Sequence, residues 1–128
     1  MRKSALTALL LLVFILAGCS EQITEDDLIG GKWTANAGFE NEEAGGEPVC
    51  GYYAKGLEFK DKKTVYVEEE EENFKYRLSE TEGMMEIEFY PPRIGIDPYK
   101  IYKVNENAFG IIGPFRDIKN SCYFEREK

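Results

Sequence analysis

Three thiols and a large surplus of carboxylates are the groups in this 128-residue chain that could do chemistry: Cys19, Cys50 and Cys122, and 24 aspartates and glutamates against 16 lysines and arginines, with no histidine. The missing imidazole removes whole classes of mechanism. Neither a histidine-based zinc site nor a serine or cysteine nucleophile activated by histidine can be assembled. The densest acidic cluster is Glu68 to Glu72, five carboxylates in a row. Neighbouring side chains on a strand point to opposite faces, so these five cannot converge on one ion and are expected to form a solvated hairpin tip. A calcium loop fails as well. Residues 36–47 supply oxygen donors, but the third position is Gly38, and the sixth, where the sharp turn needs glycine, is Asn41. Carboxylate pairs of the glycosidase kind could be drawn in many ways, and no spacing selects one. The expectation is a chain that is not an enzyme, with no catalytic residue, no metal site and no cofactor.

Cys19 has a different setting. Arg2 and Lys3 make a short basic start, residues 5–17 are almost unbroken apolar sequence, and the small residues Ala17 and Gly18 precede the cysteine. This is the order of a cleaved export signal, and the run is far shorter than the roughly twenty residues that a membrane-spanning helix needs. Leu16-Ala17-Gly18-Cys19 resembles the lipobox of bacterial lipoproteins. The resemblance implies that residues 1–18 are removed and that Cys19 becomes the first residue, with a diacylglyceryl group on its sulfur. The protein would then be held by lipid on the extracytoplasmic side of the cell envelope. Ser20 lacks the aspartate associated with inner-membrane retention, which points to the outer membrane in a cell that has one. Residues 19–27 are read as lipidated start and tether, and 28–128 as one domain, because the 110 residues left after cleavage suit a single core.

Removal of Arg2 and Lys3 takes the net charge from −8 to −10. So acidic a chain is not expected to bind nucleic acid or anionic lipid headgroups, and suits solubility or a basic protein partner. With Cys19 assigned to lipid, Cys50 and Cys122 are left in a compartment where disulfides persist. They are expected to pair. They form no C-x-x-C and have no histidine to activate a thiolate, which disfavours the alternative of two reactive thiols.

These groups must be positioned by strands. Met85, Ile87 and Phe89 alternate with Glu86, Glu88 and Tyr90, and Phe74, Tyr76 and Leu78 alternate with Lys75, Arg77 and Ser79. Such a period of two marks strands with one buried and one wet face. Tyr53, Leu57 and Phe59 share a face in the same way. Turn signals at 60–63, 71–73, 82–83, 105–107 and 113–114 separate eight candidate strands: 28–36, 50–60, 64–69, 73–79, 84–90, 99–104, 108–112 and 121–127. The fold class expected is all-β, an antiparallel up-and-down barrel of about eight strands, with a β-sandwich as the alternative. Two longer connections, 36–49 and 91–98, interrupt the rhythm; the second holds Ile94 and Ile96.

Gly31-Lys32-Trp33 at the start of the first strand matches the G-x-W of lipocalins, and Asp97-Pro98-Tyr99-Lys100-Ile101-Tyr102 loosely matches that family's second motif. The resemblance implies a small barrel whose tryptophan, Trp33 beside Gly31, closes one end beneath an arginine. Arg126 is the first candidate for that arginine and Arg116 the second. It also implies that the 36–49 loop partly covers the open end. The chain is shorter than a typical lipocalin and shows no helix after the last strand, so it would be a reduced member.

Inside such a barrel Tyr53, Phe59, Phe74, Tyr76, Met85, Ile87 and Phe89 either fill the interior or line a small apolar pocket. Lys55 and Glu58 either place charge at its mouth or mark an exposed strand end. The function expected is a lipid-anchored, non-catalytic binding protein for a small apolar ligand. The alternatives are an acidic module for a basic protein, of the inhibitor or immunity type, and a structural envelope lipoprotein.

Overall fold

The computed structural model describes residues 22–90, 98–113 and 120–128. The expected export signal, Cys19, Arg116 and most of the 91–98 connection, Ile94 and Ile96 included, lie outside them. A helical turn α1 (Glu25–Leu28) is followed by β1 (Trp33–Ala37), β2 (Phe39–Glu40), β3 (Glu43–Ala44), β4 (Leu57–Phe59), β5 (Thr64–Val67), β6 (Glu72–Thr81), β7 (Met84–Tyr90), β8 (Tyr99–Asn105), β9 (Ala108–Ile112) and β10 (Ser121–Arg126). Eight strands form a closed barrel in the order β1-β10-β9-β8-β7-β6-β5-β4, and β2 pairs with β3 apart from it. All the barrel pairings are antiparallel and the order is up-and-down, which excludes the sandwich. Trp33 opposite Leu57 closes the ring.

The period of two becomes burial. Phe74, Tyr76, Ile87, Phe89, Tyr99 and Ile101 are buried, while Lys75, Arg77 and Tyr90 between them are exposed. Turn chemistry sets the register of the longest ladder. Glu82 and Gly83 both have positive φ, the geometry of a two-residue hairpin turn that follows strand twist, and β6 and β7 pair over seven positions from Thr81–Met84 to Lys75–Tyr90.

Three expectations need correction. The first strand begins at Trp33 and not at residue 28, because Gly30 and Gly31, both at positive φ, break the extended chain. The boundary between tether and domain moves the other way: Ile23 and Leu28 are buried in the core, so the ordered domain starts before residue 28. The predicted strand 50–60 survives only as β4. Its first half coils into a 3-10 turn, Gly51–Tyr53, entered through Gly51 at φ +59°.

The 36–49 loop also departs from expectation, since its first half lies on the outer wall of the barrel. Gly110 of β9 sits opposite Tyr102 and Tyr123, and its neighbours Phe109 and Ile111 point into the core. The Phe39 ring occupies the outward slot that Gly110 leaves empty, with ring centroids 5.7 Å from Tyr102 and 6.4 Å from Tyr123. The Ser121 hydroxyl accepts the Phe39 N–H at 2.9 Å. A buried aromatic ring with a paired backbone is worth more there than strands of two residues could supply alone.

A Cβ at position 110 would stand 2.4 Å from the Phe39 ring. Gly110→Ala is therefore expected to destabilise the protein by about 1–3 kcal/mol through overpacking. In a Phe39→Ala background the same change should cost almost nothing, a coupling that urea unfolding of the four proteins measures.

Candidate functional site

The end of the barrel where β1 begins is closed. The Arg126 guanidinium carbon lies 4.3 Å over the Trp33 ring. One of its nitrogens donates to the carbonyls of Ile29 and Gly30, the other to those of Asp27 at 2.8 Å and Glu106 at 3.2 Å. The Trp33 indole N–H donates to Leu28 O at 2.8 Å, and its ring packs edge-on against Phe109 with centroids 4.7 Å apart. Gly31 has a reason to be glycine: its φ is +89°, and a Cβ there would come within 3.2 Å of Arg126 Cγ. The structure thus gathers Gly31, Trp33 and Arg126 at one point. Asp27 joins them through its backbone carbonyl, while its carboxylate accepts from Thr24 N at 2.8 Å and from Lys103 Nζ at 3.2 Å.

The interior is filled with rings. Tyr53 stacks on Phe89 at 4.2 Å, Tyr99 meets Tyr53 edge-on at 5.9 Å, Phe59 meets Tyr76 edge-on at 4.8 Å, and Phe109 stacks on Phe124 at 4.9 Å. Of the residues predicted to fill or line the interior, Tyr53, Phe59, Phe74, Tyr76, Ile87 and Phe89 are buried in this core, and Met85 is half-buried at its edge. Filling is what an eight-stranded barrel permits when its inward positions are aromatic. Tyr76 serves the packing further: its hydroxyl donates to Asp61 O at 2.7 Å, and burial, with the nearby Glu25, Asp61 and Asp26 carboxylates, pushes its phenol far above the ordinary value.

The other end is plugged from above. The 3-10 turn carries Tyr53 down onto Phe89, and the Cys50–Cys122 disulfide ties this turn to β10 with Cα atoms 5.9 Å apart. A bridge across 72 positions removes about 4 kcal/mol worth of freedom from the unfolded chain. Lys55 and Glu58 are not at a pocket mouth; they pair on the surface with Glu69 at 3.5 Å and Lys60 at 2.7 Å. The acidic run forms the turn between β5 and β6, with Lys32 held by Glu68 at 2.5 Å.

The space that a ligand could use lies in the wall. Among the described residues β7 and β8 pair only at Glu86–Lys100 and Ile87–Tyr99, although β7 begins at Met84 and β8 runs on to Asn105. Where they part, a cleft of about 400 Å³ opens between Met84 and Met85 on one side and Ile101, Tyr102 and Val104 on the other. Ile23 and Gln22 line it, Phe39 and Glu42 of the outer hairpin form its rim, and Lys103 is its cation. A cleft of this size, with methionine, isoleucine and valine side chains in its lining, can hold a small apolar molecule. Of the predicted pocket residues only Met85 reaches it. Periodicity could not have found the others, because the opening comes from unequal ladder lengths. β6 has ten residues and β5 four, so the β6–β7 hairpin outruns its neighbours at its turn end. Among the described residues no group of three or more acidic or cysteine side chains is placed to hold a metal ion.

No protein-family model, curated protein or solved structure matches the chain.

Asp27 gives the closed end a pH dependence. Burial pushes its carboxyl up, but the Thr24 backbone N–H, the Lys103 ammonium and the Thr24 hydroxyl together hold it below its ordinary 3.8. A carboxyl whose folded pKa is depressed stabilises the fold above its unfolded value, and that contribution is lost as pH falls through the folded one. Asp27→Asn should lower the urea midpoint at pH 6. It should also lose less stability than the parent between pH 5 and pH 2, where Asp61 and Glu88, also held low, still titrate in both proteins.

Proposed function

We propose that the protein is an extracytoplasmic lipoprotein anchored through Cys19, with a reduced lipocalin-like barrel that binds a small apolar ligand without catalysis. One observation carries the binding assignment: the apolar cleft opened where β7 and β8 part. The ligand therefore enters through the side wall, since aromatic rings occupy the middle. The G-x-W glycine and tryptophan beneath Arg126 support the lipocalin-like reading, because that contact is what the motif implies. The lipobox sequence supports the anchor. Gln22, which lines the cleft, is three positions beyond Cys19, so the cleft opens at the end of the barrel next to the attachment point.

The second reading, an acidic module for a basic protein, draws on one feature: the Glu68–Glu72 turn lies at the end of the barrel opposite the chain start. It requires complex formation to slow steeply with salt.

The chain from Ser20, which contains every described element, should bind the neutral fluorescent probe N-phenyl-1-naphthylamine saturably. Met84→Glu should weaken that binding at least tenfold, because burying a methionine-sized group is worth about 1.5–3 kcal/mol and tenfold is about 1.4. Absent or unaltered binding would remove the assignment. In a bacterial host, the full chain should incorporate labelled palmitate. Cys19→Ser should abolish the label and leave the signal uncleaved, whereas retained label would refute the anchor.

A further inference from the structure

Charge is distributed unevenly over this acidic molecule. The turn between β4 and β5 carries Lys62 and Lys63, and the outward side chains of β6 opposite it are Lys75 and Arg77. Together with Leu78 these four cations line a groove of about 330 Å³, with Glu25 of α1 as its one acidic wall. The groove is built by the same mismatch of strand lengths that opens the cleft. β5 stops at Thr64 opposite Lys75, Tyr76 N donates to Lys63 O at 2.9 Å, and β6 continues past that point without β5 beside it.

Few of these charges are spent within the molecule. Among the described residues Lys62, Lys63 and Lys75 make no ion pair, the Lys75 ammonium reaching only the Thr64 hydroxyl at 3.3 Å. Arg77 shares Glu88 at 3.3 Å and is otherwise exposed. The Asp61 carboxylate, the nearest acid in the turn, is occupied by the N–H groups of Lys63 and Thr64, both at 2.8 Å, and so fixes the two lysines in place. Asp26 lies beside Glu25 on α1.

We infer that this groove binds the phosphate headgroups of anionic lipid and sets how the barrel sits on its membrane. The inference rests on the anchored reading for the identity of the surface. Glu25, which lines the groove, is six positions beyond Cys19, a reach of at most about 20 Å when extended. When the tether brings that face to the membrane, its cations come within the Debye length of about 8–10 Å at physiological salt, the range over which an anionic surface attracts them. The net charge of the chain concealed this patch. Most of the acidic excess lies elsewhere, with Glu68 to Glu72 on the turn at the far end.

The test uses the chain from Ser20, so that no acyl group contributes, sedimented with vesicles of phosphatidylcholine containing increasing phosphatidylglycerol. Binding should rise with the anionic fraction, vanish on pure phosphatidylcholine and fall as salt is added. Lys62→Glu with Lys63→Glu should weaken it at least tenfold, since each reversal removes an attraction and adds a repulsion. The milder Lys62→Gln with Lys63→Gln should fall between. Lys55→Glu, at the opposite end, should leave binding unchanged. An equal loss with Lys55→Glu would show diffuse attraction and overturn the site. Displacement by millimolar glycerol phosphate would show a pocket for a free anion and overturn the membrane assignment, as would absence of binding to anionic vesicles. A failed anchor, by contrast, shows itself only in the palmitate experiment.

Discussion

Arg126 is the residue through which the two ends of this chain hold each other. Its side chain covers Trp33, the one residue whose pairing with Leu57 closes the ring, and its two terminal nitrogens draw in carbonyls from α1, the glycine turn and the β8–β9 connection. Hydrogen bonds from a charged donor contribute about 1.5–3 kcal/mol each, and even with strong non-additivity several of them are large against the roughly 5–15 kcal/mol that keeps a small domain folded. A lysine could not replace it, because the contact needs a planar group that stacks and forks at once. The glycine pair follows from the same contact, since the chain must turn at positive φ directly beneath the arginine.

With one end sealed in this way and the other plugged by Tyr53, the middle of the barrel is left to side chains. Eight strands enclose roughly the width of one packed layer, and inward rings take all of it. The consequence is functional. Among the described residues two openings lie where strands of unequal length part company, on either edge of the β6–β7 hairpin. One opening is apolar and lined by methionines, the other is basic, and both are lined by residues at the start of the ordered chain.

How much of this was legible in the sequence depended on the kind of signal. Alternation revealed the strands that pair over long stretches, and β7 and β9 begin and end at the residues predicted. The same alternation misassigned 50–60, since a 3-10 turn followed by a short strand buries Tyr53, Leu57 and Phe59 as an uninterrupted strand would. The Trp33 and Arg126 positions were visible through the G-x-W resemblance and not through spacing, because 92 residues lie between them. Phe39 on the outer wall left no trace that could be read, as its partner is the absence of a side chain at Gly110. The cleft and the basic groove were equally hidden: they depend on where ladders stop, and a sum of charges over the chain averages away four cations gathered on one turn and one strand.

In the proposed function ligand enters through the wall and not the barrel's centre, and the methionines report on that entry directly. The chain from Ser20 has two, Met84 and Met85, both in the cleft, and one tryptophan, Trp33, at the sealed end. Methyl-labelled methionine and the indole N–H can be followed together by nuclear magnetic resonance while N-phenyl-1-naphthylamine is added. Saturable shifts of both methionine methyl signals with the Trp33 indole unmoved are the predicted result. Methionine signals that stay in place while the indole shifts would contradict it.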